Sequence, residues 1–151
     1  MSRRRRLQLL DWASRTACPI VEDDYDSEFR HTTRPLEPLQ RLDSEGWVIY
    51  VGTFSKSLSP ALRLGFMVAP PSLVPALRAL RQVIDWSPPQ ATQAALTAMI
   101  DHGHLDRHLR RCRAVYGQRR RMLWDGLGAT LPAGYQRLPA LAGLHITVVA
   151  P

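Results

Sequence analysis

A run of β-branched and aromatic residues that stops at a glycine constrains the fold of this chain more than any other stretch. Val48-Ile49-Tyr50-Val51 is followed by Gly52-Thr53-Phe54-Ser55-Lys56, where small hydroxyl residues precede a lysine. β-Branched and aromatic residues favour strands, and glycine with small polar residues favours the turn that ends a strand. The stretch therefore predicts a strand from Trp47 to Val51, with Lys56 in the loop beyond its end.

Lys56 is also unusual by its count. Of the 20 Lys and Arg residues in this chain of 151, Lys56 is the single lysine, and every other one is arginine. Arginine supplies charge, but only lysine can lose its proton and attack a carbonyl group. Lys56 is thus the best candidate for a reactive amine, with an ordinary surface lysine as the alternative.

The composition describes a globular, basic protein. Hydrophobic residues make up 45% and charged residues 22%, and the formal charge of +7 permits contact with a polyanion. Cys18 and Cys112 form no CxxC pair, which favours free thiols in a reducing compartment. No apolar run reaches the length of a membrane span, and no signal-peptide core follows the N-terminal arginines. We expect a cytoplasmic protein without membrane contact.

The first part of the chain reads as the start of an α/β fold. Residues 3 to 17 show helical spacing of apolar residues, and a short buried strand, Cys18 to Val21, gives way to the acids of Glu22-Asp23-Asp24-Tyr25-Asp26. In open parallel sheets, ligands collect at the carboxyl ends of the strands. A calcium loop is excluded because the acidic run lacks the turn glycine and the spaced oxygen ligands.

The remaining elements follow the same alternation. One helical turn is expected around Leu39 to Leu42 and a third strand at Leu64 to Ala69, for which the short connection from Lys56 allows an antiparallel arrangement. The later predictions are a helix with Ser72 as its N-cap, a helix from Gln90 to Ile100, a long helix from Leu105 that ends at Gly126 and Gly128, and a strand beginning within residues 142 to 150.

Two clusters have competing interpretations. The arginines Arg3 to Arg6 could be a nucleic-acid arm, but a solvated first helical turn is the simpler interpretation because no aromatic residues are interleaved. His104 and His108 lie one helical turn apart, yet a zinc site would need a further ligand from elsewhere. A polar helix boundary explains these histidines, and no metal site is predicted.

The acidic run and the lysine stretch together match the needs of one cofactor. Pyridoxal 5'-phosphate requires a lysine for covalent attachment and an acid that keeps the pyridinium nitrogen protonated. A hydroxyl donor to the ring oxygen helps, and the phosphate group favours hydroxyls with an arginine. The candidates for these roles are Lys56, Asp23, Tyr25, Thr53, Ser55 and Arg63.

The same two stretches carry a family resemblance. Val21-Glu22-Asp23-Asp24-Tyr25-Asp26-Ser27-Glu28-Phe29-Arg30, and Gly52 to Lys56 followed by Pro60-Ala61-Leu62-Arg63-Leu64-Gly65, resemble the aminotransferase-like domain of MocR-type regulators in the GntR family of transcription factors. The resemblance implies an α/β fold of type I pyridoxal-phosphate enzymes. Residues 1–86 would be part of the large cofactor-binding domain, and residues 87–151 the helical return and the start of the small C-terminal domain.

The resemblance also assigns roles to the candidate residues. Lys56 would hold the cofactor covalently, and Asp23 would pair with the pyridine nitrogen. Tyr25 would bond to the ring oxygen, while Thr53, Ser55 and Arg63 would hold the phosphate. The intact relatives are expected to be homodimers.

Other parts of the family pattern are not seen in this sequence. It shows no winged helix-turn-helix, so DNA contact would depend on such a domain, and the arginine that binds the substrate carboxylate would lie beyond residue 151. The expectation is a fragment that binds pyridoxal phosphate without being a competent transaminase. The alternatives are a genuine aminotransferase, or a basic binding protein that retains a relic of the cofactor motif.

Overall fold

The computed structural model describes residues 1–29, 37–86, 89–139 and 143–151, which belong to two units. The first unit comprises the described residues of Met1–Tyr25 and Leu36–Ala94, and the second those of Asp26–Pro35 and Ala95–Pro151. The expected division into residues 1–86 and 87–151 stays a prediction.

The first unit is built around a three-stranded sheet. Its elements are α1 (Arg3–Thr16), β1 (Ile20–Asp24), α2 (Leu39–Leu42), β2 (Val48–Thr53), a 3-10 turn (Pro60–Leu62), β3 (Gly65–Val68) and α3 (Val74–Asp85). The strand order is β1-β2-β3, with β1 parallel to β2 and β2 antiparallel to β3. The antiparallel arrangement that the short connection allowed for the third strand is the one found.

The position of α2 against the sheet is fixed by a carboxylate. Glu22 accepts hydrogen bonds from the backbone N–H groups of Leu39 at 2.8 Å and Gln40 at 3.0 Å, the first residues of α2. These amides would otherwise lack partners at the start of a helix. Leu39 and Val48 are buried at 5% and 2% exposure, so the short helix closes a small apolar core beside β2.

The first strand differs from its expected form. It begins at Ile20 rather than Cys18 and continues through the acids to Asp24, and Val21 is 64% exposed. The expectation that this strand is buried was wrong for Val21, whereas the expectation that the strand ends in acids is confirmed. The acids belong to the strand because its parallel pairing with β2 runs from Ile20 opposite Val48 to Asp24 opposite Gly52.

The second unit contains a long helix and a two-stranded sheet. α4 (Gln90–Asp101) crosses the boundary between the units, and α5 (His104–Thr130), β4 (Gln136–Leu138) and β5 (Thr147–Val149) follow, with β4 antiparallel to β5. The strand expected within residues 142–150 is limited to Thr147–Val149, and residue 142 lies outside the described residues. Gly143 has a φ of 90°, which is compatible with a turn rather than a strand at that point.

Two helix boundaries differ from the prediction. α5 continues through Gly126 and Gly128, because each glycine costs only about 1 kcal/mol in a helix and continued hydrogen bonding offsets that cost. It ends before Leu131, whose extended conformation is the one favoured before a proline. The N-cap position of α3 is Leu73 rather than Ser72, and the Leu73 side chain makes no capping hydrogen bond. Ser72 belongs to the preceding turn, in which the Pro70 carbonyl oxygen accepts the Leu73 N–H at 2.9 Å.

Candidate functional site

The carboxyl ends of β1 and β2 form the edge of the sheet where the predicted residues gather. In the parallel register Asp23 lies opposite Val51, and Asp24 lies opposite Gly52. Tyr25 directly follows β1 and is 42% exposed. The loop that carries Ser55 and Lys56 leaves from the same edge, because the two strands run in the same direction.

Among the acids around the end of β1, Asp23 is the one that makes no hydrogen bond or ion pair within the described part of the chain. Glu22 caps α2, and Asp24 accepts a hydrogen bond of 2.7 Å from the Tyr50 hydroxyl. Asp26 accepts the backbone N–H of Leu144 at 3.1 Å within the second unit. Asp23 is exposed, and no described residue bonds to its carboxylate. Its charge is therefore available to a ligand.

Strand alternation explains why these neighbouring acids differ. Glu22 and Asp24 point to the face of the sheet that carries Val48 and Tyr50, whereas Asp23 points to the opposite face. Tyr50 reaches Asp24 diagonally across the strand pair, a distance that aromatic side chains can span. The bond to Tyr50 thus fixes the end of β1 with Asp23 on the other face.

A hydroxyl cluster forms immediately after β2. Thr53 Oγ1 accepts the Ser55 backbone N–H at 3.1 Å and lies 3.0 Å from Ser55 Oγ. The same oxygen is 3.4 Å from the Leu64 carbonyl oxygen, which also accepts the Phe54 N–H at 3.1 Å. These bonds bring the residue after Arg63 against the hydroxyl cluster.

Arg63 itself has a strained backbone. Its φ of 50° and ψ of 37° place it in the left-handed region, where a residue with a Cβ atom is disfavoured. The conformation ends the 3-10 turn, and the Arg63 N–H bonds to the Pro60 carbonyl at 3.3 Å. The side chain is exposed and bonds to no described residue. Strain of this kind concentrates at ligand-binding sites.

The Lys56 amine is likewise unengaged. Lys56 is exposed, and within the described parts of the chain it forms neither a hydrogen bond nor an ion pair. Hydrogen bonds therefore connect Thr53 with Ser55 and with Leu64, the residue after Arg63. The charged groups of Asp23, Lys56 and Arg63 form no hydrogen bonds or ion pairs with one another. Ser57, next to Lys56, is 3% exposed and anchors the loop.

Close packing holds β2 and β3 together behind this edge. A Cβ atom at Gly52 would overlap the ring of Phe66, so a larger residue at this position would require that ring to shift. Phe66 also contacts the rings of Tyr50 and Phe54, with centroids 5.9 Å and 5.4 Å apart. Sequence reasoning overlooked Tyr50 and Phe66, because their roles depend on the strand register.

Within the described residues, no three His, Cys, Asp or Glu side chains are grouped so that they could hold a metal ion. No described helix combines the length and the apolar character that a membrane span requires.

Comparison with known proteins places the chain in a family. Residues 7–148 match the model of the family described as aminotransferase class I and II. An uncharacterized HTH-type transcriptional regulator of Bacillus subtilis, YhdI, is 41% identical over 94% of this chain. The probable rhizopine catabolism regulatory protein MocR of Rhizobium meliloti is 44% identical over 78%. The chain spans 30% and 24% of the lengths of these two relatives.

Solved structures give the same result for the fold. The multiple substrate aminotransferase of Thermococcus profundus superposes with a TM-score of 0.92 and 34% identity, covering 100% of this chain and 38% of its own. The α-aminoadipate aminotransferase LysN of Thermus thermophilus, solved with N-(5'-phosphopyridoxyl)-L-leucine, gives a TM-score of 0.87 with 29% identity, over 97% and 38%.

These similarities confirm two expectations from the sequence. The α/β fold is part of the type I fold of pyridoxal-phosphate-dependent aminotransferases. The similar relatives include regulators of the MocR type. The chain belongs to the aminotransferase class I and II family.

Proposed function

We propose that this chain is the pyridoxal-phosphate-binding domain of a MocR-type transcriptional regulator. Lys56 Nζ would hold the cofactor covalently, and the Asp23 carboxylate would bind its pyridine nitrogen. The Tyr25 hydroxyl would bond to the ring oxygen. When bound, pyridoxal phosphate supplies an electron-withdrawing ring that stabilises negative charge beside an attached amino group.

One observation carries the proposal. Asp23, Lys56 and Arg63 are three exposed charged groups at one sheet edge, and none has a partner among the described residues. The neighbouring acids Glu22 and Asp24 both serve the fold. A negative group, an amine and a guanidinium left unpaired at the carboxyl ends of parallel strands suit a ligand with a pyridinium, an aldehyde and a phosphate group.

The turn after β2 fits the phosphate group. The hydroxyl oxygens of Thr53 and Ser55 lie 3.0 Å apart. Hydrogen bonds to the Leu64 carbonyl oxygen hold the neighbouring residue, Arg63, near these two hydroxyls. A guanidinium forms paired hydrogen bonds with phosphate oxygens, and hydroxyls supply further donors. We infer that the cost of the left-handed conformation at Arg63 is tolerated because it directs this side chain.

Asp23 and Lys56 would act on protons as well as on binding. An Asp23 carboxylate beside the pyridine nitrogen would keep a proton on that nitrogen. Lys56, once its amine is released, would be the base nearest to the reacting carbon and could move a proton there. Both roles need a side chain that is not committed to the fold, as is the case for these two residues.

The roles of the whole protein are part of the same proposal. The relatives are named as HTH-type regulators, which supports DNA binding by a winged helix-turn-helix domain of the whole protein. We propose that the whole protein assembles as a homodimer. Within this chain, residues 1–86 would belong to the large cofactor-binding domain. Residues 87–151 would be the helical return and the start of the small domain.

A genuine aminotransferase is the second candidate. The aromatic-amino-acid aminotransferase 1 of Thermococcus litoralis is 32% identical over all 151 residues, and an aminotransferase gives the TM-score of 0.92. Turnover distinguishes the two functions. The protein is incubated with pyridoxal phosphate, an amino-acid donor and an oxo-acid acceptor, and repeated turnover per site would favour the enzyme.

Cofactor binding is tested by visible absorbance. Addition of pyridoxal phosphate should turn the wild-type protein yellow in a saturable manner. The Lys56→Arg variant keeps the positive charge but has no side-chain amine, so it should fail to develop the same absorbance. Equal absorbance in the variant and the wild type would contradict the proposed site.

A further inference from the structure

The second unit contains a cavity that the proposed cofactor site does not use. Its volume is about 300 Å³, and it lies between α5 and the segment that follows Gly143. The lining residues are Tyr116, Arg119, Arg120, Leu123, Gly143, Leu144 and Ile146. All of them belong to the second unit, whereas the six proposed cofactor residues belong to the first. A cavity of this size holds a small organic molecule.

One side of the cavity is cationic, and its Arg120 is held in place. The Arg120 guanidinium donates through Nη1 to the His145 carbonyl oxygen at 3.2 Å. It also lies over the Trp124 ring, with Cζ 5.9 Å from the centroid, and Arg137 stacks on that ring at 4.6 Å. Arg120 is half-buried. A guanidinium fixed in this way loses little conformational entropy when an anion binds.

Arg119 provides a second charge beside it. Its Cζ lies 6.0 Å from the centroid of the Tyr116 ring, and Tyr116 packs edge-on against Phe29 at 5.0 Å. Phe29 is 1% exposed, so the ring beneath Arg119 rests on a buried side chain. In the described part of the chain, no carboxylate pairs with Arg119.

The local charge balance favours an anion. α5 carries seven arginines and two aspartates. The carboxylate nearest to the Gly143 side is that of Asp26, which already accepts the Leu144 N–H at 3.1 Å and lies 3.7 Å from His145 Nε2. The Asp26 carboxylate is thus bound to Leu144 and His145 rather than to Arg119 or Arg120.

The cavity lining also includes apolar side chains. Leu123 and Leu144 are 54% and 38% exposed, and Ile146 is half-buried beside them. When a ligand covers exposed apolar surface of this kind, the removal of that surface from water favours binding. The cavity therefore joins two guanidinium groups to an aliphatic wall.

We propose that this cavity is a binding site for a small amphiphilic carboxylate, with its carboxylate group on Arg119 and Arg120 and its apolar body against Leu123, Leu144 and Ile146. The paired charges select an anion. The aliphatic wall selects an organic carboxylate over inorganic phosphate, which has no apolar part to cover. Binding of the carboxylate needs no pyridoxal phosphate, so this proposal can be tested independently of the proposed cofactor site.

The test uses 3-phenylpropionate as the probe and 3-phenylpropanamide as its neutral counterpart. Both are titrated into the full chain without cofactor, by isothermal titration calorimetry or ligand-detected NMR. The acid should bind saturably, and the amide should bind at least about tenfold more weakly, because it cannot form charge-assisted hydrogen bonds with the guanidinium groups.

Matched variants locate the site. Arg119→Gln and Leu123→Ser change exposed side chains of the cavity and should each weaken binding severalfold, with circular dichroism confirming the fold. Arg110→Gln removes an exposed arginine of the same helix outside this cavity and should leave binding unchanged. Equal losses in Arg110→Gln and Arg119→Gln, equal affinity for acid and amide, or equal competition by inorganic phosphate would each overturn the proposal.

Discussion

Tyr50 donates a hydrogen bond of 2.7 Å from its hydroxyl group to Oδ2 of Asp24, across the parallel pair formed by β1 and β2. The bond commits Asp24 to the fold and to one face of the sheet. Asp23, one residue earlier, points to the other face and has no described partner. The acid adjacent to the best cofactor candidate is therefore structural, and the two aspartates should differ sharply when they are changed.

The first prediction compares these two aspartates. Asp23→Asn should weaken pyridoxal-phosphate binding by about tenfold or more, because it removes the charge opposite the pyridinium nitrogen. Asp24→Asn should leave the affinity within about threefold but lower the free energy of unfolding by about 1 kcal/mol. Cofactor titration and urea unfolding measure both effects. A larger loss of affinity in Asp24→Asn would shift the proposed register by one residue.

The second prediction separates strain from binding at Arg63. Arg63→Gly and Arg63→Ala both remove the guanidinium and should weaken cofactor binding similarly. Glycine accepts the left-handed conformation, so Arg63→Gly should be more stable than Arg63→Ala by about 1 kcal/mol. Urea denaturation of the two variants measures the difference. Equal stability would mean that the backbone at residue 63 carries no strain.

The third prediction concerns two glycines with opposite surroundings. Gly52→Ala should lower the free energy of unfolding by about 1–3 kcal/mol, because the new methyl group would force the Phe66 ring out of its present position. Gly117→Ala, inside α5 with open space around it, should raise helix stability by up to about 1 kcal/mol. Thermal unfolding of both variants is the measurement. A neutral Gly52→Ala would show that Phe66 moves aside freely.

The fourth prediction is a pH dependence. The Ser14 hydroxyl bonds to Glu45 at 2.6 Å and, with a weaker contribution from the Trp47 indole, lowers the pKa of Glu45 below 4.5. A carboxyl group with a lowered folded-state pKa stabilises the fold above its unfolded pKa, and this stabilisation is lost as the pH falls through the folded pKa. Ser14→Ala should therefore be less stable than wild type at pH 7, and the difference should shrink below about pH 4.5. A difference that grows in acid would contradict this assignment.

Local patterns predicted most of the secondary structure. The run that ends at Gly52 forms β2, and the helical spacing in residues 3 to 17 forms α1. These patterns reflect propensities of neighbouring residues, which act before any long-range contact. The single lysine and the acids were found for the same reason, since each signal lies within a few residues.

Long-range pairing explains what the sequence did not reveal. The role of Tyr50 depends on the register that sets it diagonal to Asp24. The helical turn of α2 was predicted, but its hydrogen bonds to Glu22, 17 residues before Leu39, were not. β4 is a three-residue strand that needs β5 as its partner. Gly126 and Gly128 ended the predicted helix because their local cost is visible in sequence, whereas the hydrogen bonds that continue α5 are not.

The covalent attachment point tests the central claim most directly. The chain has two primary amines, Lys56 and the N-terminus, so borohydride reduction after incubation with pyridoxal phosphate can label only these. Trypsin does not cut at a labelled lysine, and mass spectrometry should then find one labelled peptide, Leu42–Arg63, in place of two. A label confined to the N-terminal amine, with Lys56 cleaved normally, would contradict the account.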